Sequence, residues 1–243
     1  MSERFLLRFN LENHAADEVR ARYGAEFDAT QTERVSRLRK AFAEELRVLR
    51  GKRVLFLGDS ITSDNLGYRT SVSRAAELVA TDGSVSGATT ATLLPLAEAR
   101  IREGQYDLIS VMLGANDSVT LEKEGRGQVS LEEYAANMER ILKKAKASGA
   151  SVLLLGITSV HEERFAKSFL SEGKRQFLST IARYNGQLRA LSQAYGIPFL
   201  EHIWQNDDRF LEKDGIHLTP LGQERLSEEW LVAASNIIKE RKA

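Results

Sequence analysis

Ser60 and His217 are the residues of this sequence best suited to nucleophilic chemistry. Ser60 lies in a small polar turn directly after the apolar run 53–57. A serine hydroxyl is a poor nucleophile unless a base takes its proton, a third group orients the base and donors hold the developing oxyanion. The histidines that could act as base are His14, His161, His202 and His217.

Only His217 has an aspartate set close before it, Asp214. A carboxylate three residues ahead, on a turn, can curl back to accept from the imidazole Nδ1 and leave Nε2 facing the serine. The Asp-x-x-His spacing alone is weak, because so short a pattern recurs by chance. The alternative is a loop aspartate that caps its own turn beside a surface histidine.

Gly87 and Asn116 are candidates for the oxyanion donors. Such donors come from backbone N–H groups in tight turns and from side-chain amides. Each residue follows an apolar or short strand-like segment. The alternatives are that Gly87 supplies only backbone freedom and that Asn116 bonds its own turn.

These residues must be positioned by strands that alternate with helices. Buried strands are expected at 53–57, 109–113 and 152–157, a short one at 82–87, and a last one from Pro198. Helical spacing is expected at about 90–102, 130–148, 177–195 and 219–240, with Ser130 and Thr219 as N-caps. The alternation predicts an α/β fold with a parallel sheet covered on both faces. Ligands of such sheets bind beyond the carboxyl ends of the strands, where Ser60 would lie.

The N-terminal part of the chain has a different hydrophobic pattern from the rest. Residues 1–30 show no strong period, whereas Thr30 and Glu33 are spaced as a capping box before a helix that ends before Gly51. Its apolar stripe consists of Val35, Leu38, Phe42, Leu46 and Leu49. We predict an N-terminal helical extension over 1–51 and one domain over 52–243. The stripe is expected to pack on the domain itself, with a homo-oligomer contact as the alternative.

Composition excludes several classes of function. The 34 basic and 34 acidic residues cancel, and no dense basic run is present, so nucleic acid is not an expected partner. With no cysteine there is no thiolate nucleophile or Cys-ligated zinc, and no cofactor or metal is predicted. Arg8 interrupts the apolar residues 5–7, and no later apolar run approaches a membrane span. A cytoplasmic location is therefore expected.

Four segments together resemble the SGNH hydrolases of the GDSL lipase/esterase superfamily. Gly58-Asp59-Ser60 is similar to the nucleophile block, and Ser86-Gly87-Ala88-Thr89 to the glycine block. Gly114-Ala115-Asn116-Asp117 matches Gly-x-Asn-Asp, and Asp214-x-x-His217 matches the last block. All four occur in the family's order. Two features depart from the pattern: Asp82-Gly83-Ser84 replaces the usual Asn-x-Gly, and Gly156-Ile157-Thr158 replaces a proline-rich segment.

The resemblance implies a flavodoxin-like three-layer sandwich with about five parallel strands. It implies Ser60 as nucleophile, His217 as base and Asp214 as its orienting carboxylate. The backbone N–H groups of Ser60 and Gly87 and the amide of Asn116 would form the oxyanion hole. The remaining motif residues, Asp59 and Asp117, would hold their turns.

Two activities and one non-enzymatic function are compatible with these features. The first hypothesis is hydrolysis of a short-chain or acetyl ester, such as an acetylated carbohydrate, through an acyl-enzyme on Ser60. The second is acyl transfer to a sugar or other alcohol by the same groups. The third is a flavodoxin-like binding module, which would need a glycine-rich phosphate loop that the sequence lacks. Specificity is expected from the loops 63–68, 118–129 and 158–174.

Overall fold

The apolar runs form a central parallel sheet. The computed structural model describes residues 8, 16–202 and 207–241. Within them the strands are β1 Arg53–Gly58, β2 Val79–Ser84, β3 Leu108–Met112, β4 Thr120–Leu121, β5 Arg126–Gly127, β6 Ser151–Leu155, β7 Lys174–Arg175 and β8 Phe199–Leu200. The central sheet has the order β2-β1-β3-β6-β8 with every pair parallel, and β5-β4-β7 form a small antiparallel sheet. When the five strands of the central sheet are numbered by themselves in chain order, their order in the sheet is 2-1-3-4-5, as in flavodoxin-like folds.

Helices cover both faces of this sheet. They are α1 Ala16–Ala41, α2 Ala43–Leu49, α3 Ser60–Ser63, α4 Tyr68–Ala75, α5 Thr90–Glu103, α6 Leu131–Ala147, α7 Glu162–Lys167, α8 Leu178–Tyr195 and α9 Pro220–Glu240. Successive side chains of a strand point to opposite faces. Leu55 and Leu57 accordingly pack with α5, α6 and α8, whereas Val54 and Phe56 pack with α2, α4 and α9. The predicted α/β sandwich with a five-stranded parallel sheet is confirmed.

The start of the N-terminal helix was predicted wrongly. Helix α1 begins at Ala16, and Thr30 lies inside it, where its hydroxyl donates to the Glu26 carbonyl at 2.9 Å instead of capping a helix start. Threonine can make this bond to the preceding turn, so its presence does not fix a boundary. The predicted single helix is also interrupted at Phe42, whose φ and ψ are −123° and 39°.

The stripe of α1 and α2 is packed within the chain. Val35, Leu38, Leu46 and Leu49 are buried in the core beneath β1, with Phe42 partly buried beside them. This agrees with packing on the domain itself. The division at residues 51 and 52 and a contact between copies both stay predictions.

Arg34 adds a polar connection to this packing. Its side chain is 1% exposed, and its guanidinium donates to Ser71 Oγ at 3.0 Å, to the Pro220 carbonyl at 3.1 Å and to the Leu66 carbonyl. These three acceptors lie in α4, at the start of α9 and in the loop between α3 and α4. Helix α1 is thus bonded to the segments that follow Ser60 and His217.

Two smaller differences concern strand ends and the membrane. The strand expected at 82–87 runs from Val79 to Ser84, so Gly87 lies in the loop after it. No helix in the described part of the chain is long and apolar enough to cross a membrane. The prediction that residues 5–7 form no signal-peptide core lies outside the described residues.

We expect Leu38→Ala to lower the free energy of unfolding by about 2–4 kcal/mol, because it leaves a cavity under the sheet. Leu38 is 1% exposed. Denaturant unfolding of Leu38→Ala should be compared with Lys40→Ala, an exposed position on the same helix whose change should lie within about 0.5 kcal/mol. Equal stability of Leu38→Ala and wild type would show that α1 is not part of the core.

Deletion of residues 1–50 should give insoluble or destabilised protein.

Candidate active site

Ser60 is the first residue of α3, directly beyond the carboxyl end of β1. The Asp59 carboxylate caps this helix by accepting from the backbone N–H of Ile61 at 3.1 Å. The short helix is closed by bonds from Ser63 N to Asp59 O and from Asp64 N to Ser60 O, at 2.9 and 3.0 Å. The turn between strand and helix therefore fixes where the Ser60 hydroxyl lies.

A chain of two hydrogen bonds joins Ser60 to Asp214 through His217. His217 Nε2 lies 2.9 Å from Ser60 Oγ, and His217 Nδ1 lies 2.7 Å from Asp214 Oδ2. His217 is 6% exposed, so the imidazole is largely shielded from water. An imidazole held at Nδ1 by a carboxylate has Nε2 available for the serine proton.

The segment that carries this pair is held in a tight loop. Asp214 Oδ1 accepts from the backbone N–H groups of Ile216 and His217, both at 3.0 Å. Gly215 has φ +78°, and a Cβ there would lie 2.6 Å from the His161 carbonyl oxygen, so glycine is required at this turn. Leu211 and Leu218 close the loop through an antiparallel bridge.

The charge of Asp214 follows from its partners. Burial alone would raise the pKa of this carboxyl, but the hydrogen bond and charge of His217 and the two backbone donors outweigh it. The pKa of Asp214 is therefore lowered from its ordinary value, and the carboxyl is ionised at neutral pH.

Gly87 and Asn116 both lie at the mouth of the same cavity as Ser60. Gly87 has φ +76°. A Cβ there would meet nothing within 4 Å, so the backbone angle and not space favours glycine. The side-chain amide of Asn116 donates one hydrogen bond to the Ala88 carbonyl at 2.9 Å. An amide has two N–H donors, so the second stays available to a ligand.

The backbone N–H groups of Ser60 and Gly87 have no hydrogen-bond acceptor among the residues that the structure describes. With the second Asn116 donor they give three N–H groups around one cavity. Such a set can stabilise a negatively charged oxygen.

Asp59 and Asp117 are buried carboxyls of the turns. Asp117 accepts from Thr90 Oγ1 at 2.5 Å and from Thr90 N at 2.9 Å, which ties the loop after β3 to the start of α5. Burial raises the pKa of Asp59 to about 7 and that of Asp117 to about 6. Asp59 accepts from a backbone N–H, and Asp117 accepts from the backbone and the hydroxyl of Thr90, so the role of both carboxyls in holding turns stays a prediction.

Among the other histidines, His161 and His202 lie in the described part of the chain, and neither is hydrogen-bonded to Ser60. His202 is buried, with Nδ1 3.1 Å from Glu229 Oε2 and Nε2 3.1 Å from the Gly156 carbonyl. The His161 side chain caps α7 by accepting from Arg164 N at 3.4 Å. His14 lies outside the described residues. In the same described part of the chain, no group of three or more His, Cys, Asp or Glu side chains is arranged to hold a metal.

A cavity of about 280 Å³ opens at Ser60. Besides Ser60, Gly87, Asn116 and His217 it is lined by Ser86, Val119, Gln128, Phe165, Phe169, Leu170, Lys174 and Ile216. The sequence predicts that the loops 118–129 and 158–174 set specificity, but it does not single out their lining residues Val119, Gln128, Phe165, Phe169, Leu170 and Lys174. The only signal was the mixture of polar and apolar residues in those loops.

The loop 63–68 does not line this cavity. Its Asp64 is fully buried and accepts from Arg8 Nε at 2.9 Å, from Leu66 N at 2.9 Å and from Gln223 Nε2 at 3.0 Å. Asp64 is therefore bonded to the protein and not to the cavity, and the expected role of this loop in specificity stays a prediction.

The fold and the hydrogen-bonded serine, histidine and aspartate are typical of serine hydrolases. Residues 56–225 match the GDSL-like Lipase/Acylhydrolase family. The chain therefore belongs to this family. The predicted family membership is confirmed. The prediction that the protein is an enzyme of the esterase class is confirmed as well, because this is the class of the family.

Named relatives agree with this assignment. Esterase TesA of Pseudomonas aeruginosa is 30% identical over 186 residues, which are 72% of this chain and 84% of TesA. The human isoamyl acetate-hydrolyzing esterase 1 homolog is 27% identical over 128 residues, 49% of this chain. The match spans about half (51%) of the human protein. The crystal structure of TesA has a TM-score of 0.59 and 22% identity, and the match covers 76% of this chain and 99% of TesA, which shows the same fold.

The raised pKa of Asp59 predicts a pH-dependent stability. The folded protein keeps this proton between the ordinary pKa of 3.8 and about 7, where the unfolded chain has lost it. The contribution to the free energy of unfolding is therefore complete below about pH 4 and is lost as the pH rises to about 7. Asp59→Asn mimics the neutral form, so its melting temperature should fall less than that of wild type from pH 4 to 7.

Thermal unfolding at several pH values measures this difference. Glu172→Gln, at an exposed carboxyl, is the control and should follow the wild type. A wild-type slope in Asp59→Asn would mean that Asp59 is ionised in the folded protein.

Proposed function

We propose that the protein hydrolyses a carboxylic ester through an acyl-enzyme on Ser60, with His217 as base and Asp214 as its orienting carboxylate. The observation that carries the proposal is the hydrogen-bonded chain Asp214–His217–Ser60, with distances of 2.7 and 2.9 Å, at the mouth of the cavity. Family membership supports the same reaction class.

In the first half of the reaction Ser60 Oγ attacks the ester carbonyl carbon while its proton passes to His217 Nε2. The ionised Asp214 stabilises the imidazolium that forms. The carbonyl oxygen becomes negative and accepts from the N–H groups of Ser60 and Gly87 and from Asn116 Nδ2. When the ester C–O bond breaks, the leaving alcohol takes the proton from His217.

In the second half water attacks the acyl-enzyme and gives its proton to His217. The bond between the acyl carbon and Ser60 Oγ then breaks, and the proton returns to Ser60. The net reaction is ester plus water to acid plus alcohol. No cofactor takes part in this scheme.

The cavity supports a short acyl group. Its apolar wall is formed by Val119, Phe165, Phe169, Leu170 and Ile216. About 280 Å³ is near the lower end of the range for small-molecule sites. The names of the two relatives also contain the word esterase.

Several finer parts of the function stay predictions. Acyl transfer to a sugar or alcohol would use the same acyl-enzyme, and product analysis with added acceptor separates it from hydrolysis. Acetylated carbohydrate substrates, a cytoplasmic location and a homo-oligomer through the N-terminal helix rest on the sequence alone. The non-enzymatic binding module is disfavoured, because the relatives are named as enzymes.

Ser60→Ala should lower kcat on nitrophenyl esters by at least about 10⁴-fold while leaving the melting temperature near that of wild type, since the nucleophile is removed. A fluorophosphonate probe should label Ser60 and no other serine in the wild type. Ser36→Ala, at an exposed position of α1, is the control. Labelling at another serine, or retained activity in Ser60→Ala, would remove the mechanism.

Asp214→Asn should lower kcat by about 10²–10⁴-fold, because an amide lacks the charge and can favour the wrong imidazole tautomer. His161→Ala, which removes a side chain that caps α7 and lies outside the proposed triad, should keep the wild-type pH profile of kcat/KM. The profiles are compared in one assay. If His161→Ala loses the acid limb while Asp214→Asn keeps near-normal activity, the base has been assigned wrongly.

A further inference from the structure

The cavity at Ser60 has one cationic wall. Apart from His217, Lys174 is the only residue of an ionisable type among the described residues that line it, and no carboxylate lines it. Lys174 is half-buried. The uncharged polar side chains that line the cavity besides Ser60 are Ser86, Asn116 and Gln128.

Strand β7 holds Lys174 in place. Lys174 and Arg175 are the two residues of β7 and point to opposite sides of it, and Gln176 follows directly after the strand. Gln176 is buried, and its amide donates to the Ala115 carbonyl at 2.8 Å and to Ser118 Oγ at 3.1 Å. The chain that directly follows Lys174 and Arg175 is therefore anchored to the loop that contains Asn116.

The two cations of β7 differ in their partners. Arg175 Nη2 lies 2.8 Å from Glu122 Oε1, so its charge is compensated. In the part of the chain that the structure describes, the Lys174 ammonium has no ion pair or side-chain hydrogen bond, and the Gln128 amide has no hydrogen bond. An ammonium beside an apolar wall, with no protein counter-ion, gains most from an anionic ligand.

We propose that Lys174 binds a carboxylate on the ester substrate, so that the preferred substrates are esters carrying a negative charge. This inference rests on the proposed ester hydrolysis. It makes Lys174 a specificity-determining residue, and the reaction at the ester carbonyl is unchanged. The carboxylate can belong to the acyl part or to the alcohol part.

Two pairs of substrates distinguish these sources. Phenyl monoadipate and phenyl hexanoate differ by a terminal carboxylate on the acyl chain. 4-Acetoxybenzoate and 4-acetoxybenzamide differ by a carboxylate on the alcohol side. Released phenol or acetate is measured by chromatography, and kcat/KM is determined for each ester.

In one of the two pairs the wild type should prefer the charged ester by roughly tenfold, the value of one charge-assisted hydrogen bond of about 1.5 kcal/mol. In Lys174→Met the kcat/KM of the charged ester divided by that of the neutral ester should fall toward one, mainly because KM of the charged ester rises. Lys174→Arg should keep most of the preference. Added salt should lower it in the wild type.

Lys167→Met is the matched control. Lys167 is exposed in α7 and does not line the cavity, and its substitution by methionine removes the same charge as Lys174→Met. It should keep the wild-type ratio, whereas an equal loss in both variants would indicate general charge steering and overturn the proposal. Melting temperatures check that each variant is folded.

The outcomes separate the two hypotheses. If neutral esters are cleaved but the wild type has no charge preference in either pair, or keeps it in Lys174→Met, the carboxylate site is wrong and ester hydrolysis stands. If no ester is cleaved by folded wild type, the proposed function fails, and this inference fails with it.

Discussion

The hydrogen bond between Ser60 and His217 joins two segments that are 157 residues apart in the chain. Ser60 is fixed by the end of a central strand, but His217 belongs to a loop before α9 and must be brought to it. The loop supplies its own constraint: Asp214 accepts from two backbone N–H groups, and Glu212 N donates to the His217 carbonyl at 2.7 Å. A loop with its polar groups bonded internally loses little further freedom when His217 meets Ser60.

A second network joins the loop to the nucleophile's helix. Arg8 contacts Asp64, the residue after α3, and also donates to the Leu218 carbonyl at 2.6 Å and to Glu212 Oε1 at 2.8 Å. The bonds of Asp64 to Gln223 and of Arg34 to Pro220 connect the same two regions. Removing one partner of a buried ion pair leaves an uncompensated charge. Residues before the family match at 56–225 are thus bonded to both halves of the site.

The sequence predicted the central sheet and the residues at its strand tips better than the surroundings. Apolar runs such as 53–57 end at small polar turns, and a buried parallel strand imposes that pattern locally. Helix α1 was harder, because Thr30 and Glu33 imitate a helix start and the buried Arg34 breaks the apolar pattern. Strands of two residues, such as β7, carry no period at all. The position of Lys174 at the cavity therefore depends on tertiary contacts that no local pattern records.

Asp59, next to Ser60, and Asp214, next to His217, differ in pKa because they differ in their hydrogen-bond partners. Asp59 is buried without a cationic hydrogen-bond partner, so its pKa rises to about 7 and the neutral form suits a group that only holds a turn. Asp214 is also largely buried, but His217 and two backbone donors lower its pKa. The carboxyl with the lowered pKa therefore lies at Nδ1 of His217, on the side of the imidazole away from Ser60, where it is not hydrogen-bonded to the serine hydroxyl. In the reaction that we propose, a carboxylate at this position stabilises the imidazolium that forms when the serine proton is taken.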